Sequence, residues 1–134
     1  NTWAWAQLQS ETGNSKVYFY YFDQAPPPDE NATPVPPSGA LHAAEIPYVM
    51  QHLDPDAPQF NKEDLELSET MGTYWTNFAK TGNPNGINLP EWPEFKDGEN
   101  TVIYFKNDIG TGPVPNRKRL ELLEEFYKWK RGDE

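Results

Sequence analysis

The chain has 134 residues, the usual size of one domain, with 36% apolar residues, 14% aromatics, no cysteine and a net charge of −10. That charge repels a phosphate backbone and an anionic lipid surface, which argues against nucleic-acid and membrane-surface partners. No apolar run approaches the roughly 18 residues of a membrane span, and the lack of cysteine excludes disulfides, thiolate catalysis and cysteine-bound zinc.

Five Trp, seven Tyr and seven Phe supply large burial in place of aliphatics, so most of the chain is expected to be ordered. Residues 2–12 predict a helix, with Trp3, Ala6 and Gln7 on one face and Gly13-Asn14 as the stop. The helix begins with no leader before it (neither a basic nor an apolar stretch precedes it), which reads as a chain cut from a longer one. Residues 16–22 (KVYFYYF) predict a strand that is apolar on both faces, the pattern of a strand buried in a sheet covered on both sides. Residues 24–37 hold six prolines and predict an irregular loop; Asn31-Ala32-Thr33 within it fits the glycosylation triplet, a weak pattern.

Residues 46–53 predict a short helix with Pro47 in its first turn. Asn61 then caps the longest predicted helix, with Glu63 and Asp64 complementing the dipole in its first turn. Leu67, Met71, Tyr74, Trp75 and Phe78 form its apolar face, and Gly82 followed by Asn83-Pro84-Asn85-Gly86 ends it. Residues 87–99 predict a loop with Trp92-Pro93 tucked against the surface. A small peripheral strand is expected at 101–106, a Gly- and Pro-containing connection at 107–115, and a final helix from about 116 to 130. That helix carries two apolar stripes, Leu120/Leu123/Tyr127 and Leu122/Phe126/Trp129.

His42 is the residue around which the chemistry would turn. It follows the aromatic strand and precedes a helix, between Gly39-Ala40 and Ala43-Ala44, whose small side chains let backbone and substrate approach. Imidazole is the usual proton acceptor near neutral pH, although a histidine on a loop is more often structural or merely solvated. His52 lies in a polar helix end and reads as solvated. His42 and Glu45 are three apart, but two ligands do not make a metal site, and no metal or other cofactor is expected. The nucleophile elbow G-x-S-x-G is absent: Gly13-Asn14-Ser15-Lys16-Val17 lacks the second glycine, and Ser38 has no strand-to-helix turn around it. Exposed tryptophans could instead form a sugar-binding surface; Trp75 and Trp129 sit on apolar helix faces and read as core, which leaves Trp3, Trp5 and Trp92 for that role.

The stretch Gly39-Ala40-Leu41-His42-Ala43-Ala44-Glu45-Ile46-Pro47-Tyr48-Val49 resembles the histidine motif of the type B carboxylesterases, serine hydrolases related to cholinesterases and para-nitrobenzyl esterases. Tyr74-Trp75-Thr76-Asn77-Phe78-Ala79-Lys80-Thr81-Gly82-Asn83-Pro84-Asn85 and Leu89-Pro90-Glu91-Trp92-Pro93 follow in that family's order. The resemblance implies an α/β fold, the C-terminal segment of an α/β-hydrolase spanning residues 1–134. In isolation it would be mostly helical, with one core strand at 17–22. It implies that His42 is the catalytic base and that the serine, the acid and the oxyanion loop lie upstream, so this chain alone is expected to be inactive. The implied partners are an ester substrate, the missing N-terminal part of the same protein, and another copy of the chain at unpaired strand edges. The competing expectation is a non-catalytic carbohydrate-binding or structural module.

Overall fold

The computed structural model describes residues 2–25, 39–96, 98–99 and 101–132. The proline-rich stretch from 26 to 37, the Asn31 triplet and Ser38 lie outside the described residues. In chain order the elements are α1 (Thr2–Thr12), β1 (Tyr20–Phe22), α2 (Ile46–Val49), α3 (Lys62–Thr81), β2 (Thr101–Phe105), β3 (Gly110–Pro113) and α4 (Arg117–Arg131).

Helix α3 forms because its start, face and stop agree. The Asn61 side chain accepts from the Asp64 amide and the Asp64 side chain accepts from the Asn61 amide, so two orphan donors of the first turn are satisfied reciprocally. Leu67, Met71 and Tyr74 are buried along one stripe, and Gly82 closes the helix at φ 73°, a left-handed conformation that glycine adopts without steric penalty.

The three strands order as β1-β2-β3, parallel between β1 and β2 and antiparallel between β2 and β3. Strand β2, expected at the periphery, is the middle strand of this sheet. Ile103 and Phe105 face one cluster with Leu67, Met71, Tyr74 and Trp92, while Val102 faces another with Trp3, Ala6, Phe95 and Val114. The sheet is therefore covered on both faces, as the unbroken apolar character of 17–22 requires. Only Tyr20–Phe22 of that stretch join the ladder. Just before it, the carbonyls of Val17 and Phe19 accept from the Phe95 amide (2.8 Å) and the Trp92 indole (3.2 Å) instead.

Strand β3 replaces what the sequence reads as a connection. Gly-Thr-Gly-Pro has little strand propensity, but Gly112 lies under the Tyr104 ring, where a Cβ would come within 3.0 Å of it. Glycine in a strand commonly marks such a close approach.

The tryptophans are distributed differently from the expectation. Trp92 is not a surface residue: it is 5% exposed and its ring centroid lies 5.2–6.1 Å from those of Tyr18, Tyr20, Tyr74, Trp75 and Phe105. Asn85, from the turn after α3, holds its backbone on both sides, accepting from the Trp92 amide (2.7 Å) and donating to its carbonyl (2.9 Å). Trp3 is buried as well, whereas Trp129, expected in the core, is 75% exposed and Trp5 77% exposed. No residue of α4 is buried, and Leu120 is its one side chain packed against a core cluster. Among the described residues no helix is long and apolar enough to cross a membrane.

Candidate functional site

His42 stands at the first position of a turn, 42–45, that runs straight into α2. The turn closes through the Ala44 amide on the Leu41 carbonyl (3.2 Å) and the Ile46 amide on the Ala43 carbonyl (3.2 Å). Gly39, at φ 80°, and Ala43, at φ 64°, are both left-handed. For alanine that conformation costs roughly 1–3 kcal/mol and persists only where the surroundings impose it. The His42 side chain is exposed and makes no hydrogen bond or ion pair with the described residues; Glu45 does not reach it.

Glu45 turns toward the sheet. It sits at the N-cap of α2 without a side-chain cap bond, and its carboxylate faces the Tyr20 phenol of β1. Burial first, then the Glu45 charge and a hydrogen bond to it, hold the Tyr20 phenol above its ordinary range.

Below the turn lies a polar node that the sequence reading missed. Asp64 is 1% exposed. Its Oδ1 accepts from the Tyr48 hydroxyl (2.7 Å) and from Gln24 Nε2 (2.9 Å), and its Oδ2 from the Asn61 amide (3.1 Å). Ser68 donates to the Tyr48 carbonyl (2.8 Å), and Gln24 Oε1 accepts from the Asn107 amide (3.1 Å). One buried carboxylate so joins the exit of β1, helix α2, the start of α3 and the β2–β3 turn, with its own acceptor positions satisfied. The signal was present: Asp64 falls three residues before Leu67, on the apolar stripe, where a carboxylate must be buried and paired.

Two buried phenols carry a pH dependence, one at the node and one in the aromatic core. Tyr48 is driven far upward by burial and by its hydrogen bond to Asp64, and burial alone pushes Tyr74 to about 12. A folded-state pKa above the unfolded value means stability is intact below roughly pH 10 and is lost as pH rises through the folded pKa. Urea unfolding followed with pH, alongside tyrosinate absorbance, is expected to show stability falling between pH 10 and about 12. Unchanged stability across that window would contradict the burial of these phenols.

Two apolar troughs flank β1 without touching His42. One, of about 300 Å³, is lined by Trp3, Phe19, Tyr21 and Val114; the other, of about 180 Å³, by Tyr18, Tyr20, Trp75 and Phe78. The Asp23 amide donates to the Phe105 carbonyl (2.9 Å), so by the two-residue period of a strand the amide groups of Tyr20 and Phe22 face away from β2. No described segment pairs with that edge. Among the described residues no group of three or more His, Asp or Glu side chains could hold a metal ion.

Residues 2–122 match the carboxylesterase family. The chain is 39% identical over 116 residues to human "cocaine esterase" and 40% identical over 118 residues to rat "acylcarnitine hydrolase". Those alignments cover 86% and 87% of this chain and 20% of either relative, so the chain spans about a fifth of the curated relatives it matches. Among solved structures, a PNB esterase superposes with a TM-score of 0.70 at 29% identity, over 88% of this chain and 23% of that one. The structural neighbours are esterases of the α/β-hydrolase fold.

Proposed function

The chain belongs to the carboxylesterase family, and from that premise we propose that it forms the C-terminal segment of an α/β-hydrolase domain that cleaves carboxylic esters, with His42 as the base. The observation that carries this reading is the family's histidine motif, whose His42 stands on an exposed turn that runs directly into α2. His42 takes the proton of a serine hydroxyl as it attacks the ester carbonyl, then returns it to the leaving alcohol; water repeats the cycle. The serine, its oxyanion donors and the acid that orients the imidazole come from other residues of the protein, since this chain holds no G-x-S-x-G.

The edge of β1 that no described segment pairs supports the same reading. An incoming strand there would bond to Tyr20 and Phe22 and send alternate side chains into the two troughs, one on each face. We assign that place to another segment of the same protein, with a second copy of this chain as the substitute when that segment is missing. The carbohydrate-binding alternative loses Trp3 and Trp92, both of which are buried.

The test is hydrolysis of a short para-nitrophenyl ester by this chain alone and by a longer protein that adds an upstream G-x-S-x-G segment. Turnover is expected from the longer protein, with the short chain no faster than free imidazole. His42-dependent turnover by the short chain well above imidazole would place the nucleophile within these residues and overturn the proposal.

A further inference from the structure

Three observations converge on the base of the His42 turn. First, Ala43, next to His42, is held at φ 64°, a conformation its local sequence does not favour. Second, the turn has few anchors of its own: its two closing bonds are 3.2 Å each, and the His42 side chain touches none of the described polar groups. Third, the α2 end of the segment is tied to the buried node, and its start passes close to Asp23, the residue before Gln24. At one end, a Cβ on Gly39 would meet Asp23 Oδ1 at 3.6 Å, and Asp23 immediately precedes Gln24. At the other, Tyr48 is fixed twice, by its hydroxyl on Asp64 and by its carbonyl under Ser68.

We propose that Asp64 is the positioning residue of His42: its carboxylate, by holding Tyr48 to Gln24, fixes the α2 end of the segment from which the imidazole projects against the β1 exit that its start passes. This rests on the proposed role of His42 and adds to it a residue 22 positions away that touches neither the imidazole nor the site of reaction. Asp64 acts by leverage. A single carboxylate oxygen receives the hydroxyl of α2 and the amide of the β1 exit at 2.7 and 2.9 Å. Hydrogen bonds to an ionised acceptor are about twice as strong as neutral ones, and a buried one has no water to replace it. Releasing either partner frees Ala43 to leave its left-handed conformation, and the imidazole then moves with the turn. A displacement of about 1 Å at a reacting group can cost on the order of a hundredfold in rate.

The experiment uses three variants. Tyr48→Phe removes one hydroxyl and keeps the ring. Asp64→Asn keeps an acceptor at Oδ1 but puts a donor against the Asn61 amide. Asp64→Ala removes both acceptors. In the 134-residue chain, the imidazole resonances of His42 and the amide exchange of residues 41–44 are recorded by NMR; with two histidines in the sequence, a His52→Gln background leaves one imidazole signal. In the full-length hydrolase, kcat and KM are measured for the same variants.

In protein that remains folded by thermal melting, the His42 signal is expected to broaden or split and the 41–44 amides to exchange faster. The order is Asp64→Ala above Asp64→Asn, with Tyr48→Phe showing the same change without risk to the α3 cap. In the hydrolase, kcat is expected to drop about tenfold or more for Asp64→Ala, with KM within about twofold, because substrate still binds while the base is misplaced. A folded Tyr48→Phe and a folded Asp64→Asn that both leave the His42 signal and kcat unchanged would overturn the proposal and make Asp64 a structural residue only. Should esterase activity prove independent of His42, the NMR measurement still decides whether Asp64 fixes the turn, so the two readings fail separately.

Discussion

In a protein carrying the whole hydrolase, His42→Ala is expected to reduce kcat/KM for a para-nitrophenyl ester by about 10⁴- to 10⁶-fold while leaving the fold intact. The size follows from how a serine hydrolase works. A serine hydroxyl is a weak nucleophile until a base removes its proton, and loss of the base leaves only the residual catalysis of the oxyanion donors and of binding. The mildness toward the fold follows from the structure. The imidazole is exposed and bonds to none of the described residues, and its neighbours Ala43 and Ala44 are already small. Truncation at such a position should change stability by no more than about 0.5 kcal/mol. His52→Ala is the matched control, since His52 is also exposed, just after α2. Full activity in His42→Ala would show that the family's chemistry has moved elsewhere or been lost.

Trp92→Ala should have the largest effect on stability, about 3–5 kcal/mol, against a total of about 5–15 kcal/mol for a typical domain. The side chain is the hub of the aromatic cluster between α3 and the sheet, with five rings around it at 5.2–6.1 Å. Its removal opens a cavity that α3 and β1 cannot both collapse into. It also leaves the Phe19 carbonyl without the indole donor at 3.2 Å, just where β1 begins. Trp92→Phe keeps a ring in place and should lose less. Urea unfolding measures both; a loss below about 1 kcal/mol for Trp92→Ala would mean the cluster is not the centre of the fold.

Much of this architecture is legible in the sequence wherever several local signals agree. Helix α3 has its cap at Asn61, its stripe through Leu67, Met71 and Tyr74 and its stop at Gly82 as expected, while Phe78 at the end of that stripe is 46% exposed. The role proposed for His42 comes from the motif around it, because no rule of spacing separates a loop histidine that reacts from one that does not. What escapes depends on contacts between distant segments. Strand β3 is a strand because β2 offers it an edge, although its own residues, two glycines and a proline among four, resist the conformation. Gln24 reads as the start of an irregular stretch, yet it is buried because Asp64 lies 40 positions further on to receive it. Trp129 sits on a periodic apolar stripe, and periodicity cannot say whether a neighbour will cover that stripe.

Helix α4 has a consequence for the life of the chain once folded. With no buried residue, it rests on its own ladder, on Leu120 and on side chains set beside α1, and an isolated helix of about 15 residues is marginal in water. Its opening should therefore be nearly independent of global unfolding. Arg117, Lys118, Arg119, Lys128 and Lys130 give a trypsin-like protease its cleavage points there. Nicking would begin at this helix and strip it away, while α3 and the sheet outlast it.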